Sequence, residues 1–97
     1  MANQMAAVLL KANLGFYDGP IPEALDQELA SLLDTAETRL RQQNHIELND
    51  SQSDTQLIVS YAAWLYRSKV TGAAQPAGLR QDIRDRQIHQ VTGEETP

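Results

Sequence analysis

The chain has no cysteine, only five aromatic residues, and no long hydrophobic run. Each shortage removes a class of explanation. Without cysteine there can be no disulfide framework, no thiolate metal site and no cysteine nucleophile. No uninterrupted apolar stretch approaches membrane-spanning length. The short run Met5 to Leu10 precedes Lys11 instead of following a basic segment, so it does not read as a secretory signal. These features predict a soluble protein of a cytoplasm, or of an assembly built there. Positive charge is also scarce: eight Lys and Arg stand against thirteen Asp and Glu, a formal net charge of −5. Such a balance repels phosphate at long range and argues against a DNA-coating or membrane-surface role.

What is present is helix-forming. Ninety-seven residues suffice for one small domain, and a 41% hydrophobic content suffices for a single core. Alanine is abundant and the apolar residues recur at helical spacing. A first helix is expected from about Asn3, a possible cap, to Asn13, with Met5, Val8, Leu9 and Ala12 on one face and Gly15 as a stop. The second is expected from Pro22 to about Gln43. Its Leu25, Leu29, Leu32, Leu33, Ala36 and Leu40 share one arc, with acids in the first turn and arginines in the last to suit the helix dipole. A third starts at a capping Ser51 or Ser53, with Asp54 favourable near its start, and runs to about Thr71. Gly72 to Gln75 breaks the pattern, and a last helix is expected from Pro76 to about Gln90, followed by a polar tail over 92–97 that is expected to fray. The fold class is all-α: a bundle of about four helices in a single domain over 1–91, with 76–91 a C-terminal helix that has only a thin apolar edge.

A search for catalytic chemistry finds little. His45 and His89 are the only histidines, and neither is followed by a second ligand-type residue at the i+3 or i+4 position. His45, beside Glu47 and Asp50 in an expected loop, reads as a solvated histidine. There is no glycine-rich phosphate loop and no glycine-flanked serine. The expectation is a non-enzyme without a cofactor or metal.

Two surface patterns and one crowded helix remain. Glu23, Asp26, Asp34 and Glu37 form a stripe on the second helix, expected to lie away from the leucines as a solvated face or as an acidic lining. Between Tyr61 and Gln90, five cations (Arg67, Lys69, Arg80, Arg84, Arg86) outnumber two acids, whereas the rest of the chain holds three cations against eleven acids. Opposed charge of this kind suits head-to-tail contacts. The third helix places Trp64 and two of the three tyrosines in the six residues 61–66 and is apolar almost all round. Such a helix is either central in its own domain or shared with a neighbour. Val59, Tyr66, Arg67, Val70, Leu79, Arg80, Ile83 and Arg84 are the candidate interface residues.

Four elements taken in order carry a resemblance. Leu10-Lys11-Ala12-Asn13-Leu14 lies in the first helix and Leu29-Ala30-Ser31-Leu32-Leu33-Asp34-Thr35-Ala36 in the second. Tyr61-Ala62-Ala63-Trp64-Leu65-Tyr66-Arg67 follows in the third, then Leu79-Arg80-Gln81-Asp82-Ile83 after a Gly/Pro-containing loop. Over about residues 5 to 90 the chain resembles the small head–tail connector (adaptor or head completion) proteins of long-tailed bacteriophages. One departure is a loop at Gln75-Pro76-Ala77-Gly78 without the methionine associated with relatives. The resemblance implies a structural virion protein, assembled in the host cytoplasm, that forms a cyclic homo-oligomer of roughly twelve copies under the portal protein. It also implies that the ring extends the DNA channel, meets a stopper or tail-completion protein and lets genomic DNA pass without sequence-specific binding. Glu23, Asp26, Asp34 and Glu37 would then be candidates to line the channel, and the C-terminal segment would reach toward the portal. The alternatives are a small helical regulatory or DNA-binding module using Arg80, Arg84 and Arg86, opposed by the acidic total charge and by Asp82 and Asp85, and a cellular adaptor.

Overall fold

The computed structural model describes residues 4–16, 21–49 and 51–92. Among these, the chain forms four helices and no strand: α1 (Gln4–Leu14), α2 (Glu23–Gln42), α3 (Gln52–Thr71) and α4 (Ala77–Thr92). The expected cap at Asn3 and the tail beyond Thr92 lie outside the described residues; Thr92 itself is helical.

The punctuation is local chemistry. Gly15, at φ +92, ends α1 with its N–H on Ala12 O (3.1 Å) and the Phe16 N–H on Lys11 O (2.8 Å). That pair of bonds closes a helix through a left-handed residue, which glycine adopts without penalty. Pro22 stands just outside α2 and accepts from the Asp26 N–H (3.0 Å). Ser51 caps α3 by accepting the Asp54 N–H on its hydroxyl (3.2 Å), and Gly72, at φ +68, closes it. Pro76 accepts the Arg80 N–H (3.0 Å) at the start of α4.

α3 is the hub, touching α1, α2 and α4, while α4 packs on no helix but α3. The pairs Lys11–Asp26 (3.0 Å) and Lys69–Glu28 place α2 antiparallel to both α1 and α3. Leu29, Leu33, Ala36 and Leu40 of α2 are buried with Ala6 and Leu10 of α1 and with Leu57, Ile58, Val59, Tyr61, Ala62 and Ala63 of α3. Leu79 and Ile83 are the two buried side chains of α4 that join this core, and Ile46 plugs it from the α2–α3 loop.

Two sequence expectations change here, and one open alternative closes. On α1, Met5, Val8 and Ala12 are exposed and Ala6 and Leu10 are buried instead. The helix is apolar on nearly every side, so periodicity alone did not select the face. On α2 the acidic stripe does not lie away from the leucines. At about 100° per residue, Glu37 is only about 40° from Leu33, on the flank that α1 covers, and Glu37 is buried. The crowded α3 is covered from within the chain. Tyr61 is buried against Trp64 in an edge-on pair (centroids 5.4 Å apart), and Tyr66 meets Phe16 edge-on (6.4 Å). The Trp64 indole N–H donates to Ala73 O (3.2 Å), which satisfies its polar end inside the same chain.

Candidate functional site

The most organised polar cluster lies where α4 meets the loop between α2 and α3. Asp54, one turn into α3, is 1% exposed and receives Arg86 of α4 in a two-pronged pair, Nε to Oδ1 at 2.7 Å and NH2 to Oδ2 at 3.1 Å. The same guanidinium donates to Glu47 O (2.8 Å), and the Asn49 N–H donates to Asp54 Oδ2 (2.9 Å). Gln87 donates to Asn44 O (2.8 Å). Gln90 donates to His45 O (2.7 Å) and accepts from the Glu47 N–H (2.7 Å). Three side chains of α4 thus hold the backbone of residues 44–47, a segment that belongs to no helix or sheet and whose polar groups need partners.

The loop needs this support because of how α2 ends. Asn44 N–H reaches back to Arg39 O (3.2 Å) and Ile46 N–H to Leu40 O (3.0 Å), with His45 between them at φ +56. A left-handed non-glycine residue is strained. Holding it leaves the carbonyls of 44, 45 and 47 pointing at α4, where the amides and the guanidinium meet them.

Charge within the cluster is self-compensating. The Asp54 hydrogen bond raises the Arg86 pKa above the ordinary guanidinium value, although burial works against it, so Arg86 stays charged at any working pH. On the other side of the molecule, burial opposes ionisation of Glu37. Hydrogen bonds and nearby positive charge, those of Arg41 (2.9 Å) among them, outweigh it, and the carboxyl sits below its ordinary value of 4.5. Among the described residues no group of three or more His, Asp or Glu side chains could hold a metal ion, and no buried side-chain polar atom lacks a partner. No described helix is long and apolar enough to cross a membrane.

The candidate residues named from sequence divide into exposed and buried sets. Glu23, Asp26 and Asp34 are exposed, Asp26 in its pair with Lys11; Glu37 is buried and cannot line a channel in this fold. Of the proposed contacts, Val59, Leu79 and Ile83 are core residues, Val59 in the covered middle of α3 and Leu79 and Ile83 where α4 packs on α3. Tyr66 is half-buried on Phe16, and Arg67 donates to Asn13 O and Oδ1 (3.0 Å each), tying α3 to the end of α1. Val70, on the Val59 face but at the end of α3, is 87% exposed. Arg80 and Arg84 are exposed.

Sequence reasoning missed the Asp54–Arg86 pair. Asp54 was legible as a favourable charge near a helix start and Arg86 as one of the five cations between Tyr61 and Gln90. The one available signal was that Arg86, Gln87 and Gln90 continue the line of Leu79 and Ile83 along one face of α4.

Beside the cluster, α4, the first half of α3 and the loop enclose an open groove of about 1250 Å³. Gln52 and Gln56 line one wall and Asp82, Asp85 and His89 the other. No protein-family model, curated protein or solved structure matches the chain.

Proposed function

We propose that this chain is a structural connector of the head–tail type found in long-tailed bacteriophages: a non-catalytic module, free of cofactor, that assembles as a ring under a portal protein. The ring extends the DNA channel and presents a surface to a stopper or tail-completion protein, at the head–tail interface of the virion. The observation that carries this reading is the order and spacing of the four motif elements, one on each helix of a single small bundle. The crowded aromatic helix no longer supports it, because the chain covers those side chains itself.

The exposed acids of α2 suit the channel role in part. Glu23, Asp26 and Asp34 would face phosphate with like charge, so that DNA slides without sticking. Arg80, Arg84 and Val70 are exposed and remain candidate contacts. The acidic total charge disfavours the DNA-binding alternative.

Native mass spectrometry of the protein mixed with the portal ring of the same genome tests the reading. A mass step of roughly a dozen added copies is expected from closed cyclic symmetry. An intact portal ring that takes up no copies would overturn it.

A further inference from the structure

α4 has two unlike flanks. Its buried line is Leu79 and Ile83, continued by the half-buried Arg86, Gln87 and Gln90. At about 100° per residue, Arg80, Arg84, Ile88 and Val91 fall together on one side of that line, and Asp82, Asp85 and His89 on the other. Only the second set lines the groove. Arg80 and Arg84 are exposed, and no ion pair among the described residues engages either. Between and beyond them Ile88 is 53% and Val91 83% exposed. Because α4 touches no helix but α3, neither flank is covered.

We propose that these flanks are the two halves of a head-to-tail contact between copies of this chain. The Arg80/Arg84 flank of one α4 lies along the groove of the next copy, its guanidinium groups on Asp82 and Asp85 and its Ile88 and Val91 covered by the neighbour. Charge complementarity selects a second copy as the occupant: cation and apolar side chains lie on one flank, and acids with groove-lining amides lie on the other. An open groove of about 1250 Å³ admits the side of a helix, whose width with side chains is about 10 Å. The two flanks belong to one helix but face opposite ways, so the contact is heterologous. Each added copy leaves one flank free at each end, as a ring or open chain of subunits requires.

The inference deepens the ring component of the connector reading and can fail separately from it. Sedimentation of the full chain at low ionic strength reads self-association directly. The wild type is expected to associate, and to dissociate as salt is added. R80E/R84E and D82K/D85K change only exposed positions, so each is expected to fold and to associate at least about tenfold more weakly. An equimolar mixture of the two is expected to recover association, because each reversed flank meets a reversed partner. Wild type that stays monomeric overturns the contact, as do reversals without effect and a mixture that does not recover. Copies that bind a portal ring while both reversals assemble normally defeat this contact alone. Association with the expected charge pattern but no portal binding defeats the connector reading alone.

Discussion

Two seams hold this molecule together, and they are made differently. Between α2 and α3, with α1 against both, the contact is aliphatic: Leu29, Leu33, Ala36 and Leu40 meet Leu57, Ile58, Val59 and Ala62, with Leu10 filling in. Its free energy scales with apolar area removed from water and demands close packing but little direction. Between α4 and the rest, two apolar side chains start the seam and hydrogen bonds finish it. Arg86, Gln87 and Gln90 serve the backbone of 44–47 and the carboxylate of Asp54. Directional bonds of this sort contribute about 1 kcal/mol net each while intact, and leave costly buried groups when broken. The first seam is tolerant and the second is nearly all-or-none.

The largest effect is expected from breaking the polar seam. Arg86→Ala strands Asp54 as a buried, uncompensated carboxylate, a change that costs about 3–5 kcal/mol. Hydrogen exchange is expected to rise first in α4 and in 44–49, ahead of α1 to α3; uniform deprotection would show that the seams are not separable. Replacing both partners by apolar residues, as in D54L/R86M, is expected to recover much of the loss, because the cost lies in the unpaired charge. Leu33→Ala attacks the other seam and is expected to cost about 2–5 kcal/mol in denaturant unfolding, with all four helices affected together. Full retention of α4 protection in this variant, or a cost well under 1 kcal/mol, would remove Leu33 from the common core.

Acid sharpens the comparison on the α2 side. Glu37 is held below its ordinary value of 4.5, so its stabilisation is present above that value and is lost as the pH falls through the lower folded one. Glu37→Gln is therefore expected to be less stable than wild type near neutrality and to converge with it in acid. Parallel stability curves for the two proteins would show that this carboxylate contributes nothing to folding. The smallest effect is expected at His45, whose left-handed backbone α4 holds in place. His45→Gly relieves strain of about 1–2 kcal/mol but loosens the unfolded chain by about 0.5–1 kcal/mol. A net gain of a few tenths to about 1 kcal/mol in thermal unfolding is expected, and a loss would mean that the His45 side chain contributes more than its backbone costs.

Much of this was legible because helix ends and strong amphipathicity are local properties. The stops at Gly15 and Gly72, the Ser51 cap and the leucine arc of α2 each depend on residues within a turn or two of one another. The faces of α1 and α3 were not legible in the same way. A helix such as Gln4–Leu14, apolar nearly all round, offers several faces, and only docking chose Ala6 and Leu10. Val59, Leu79 and Ile83 were candidates for contact with other chains, and the packing of α1, α2 and α4 on α3 buries all three.

By itself the sequence determined that this is an all-α chain, where its helices stop, and that α2 carries a leucine face, since backbone propensity and periodicity act over one or two turns. Only the tertiary structure decided that Asp54 and Arg86 pair, that Glu37 is interior, and that the acidic flank of α4 borders a groove. Those outcomes join residues up to tens of positions apart through burial, and burial is a property of the assembled bundle, not of any segment of its chain.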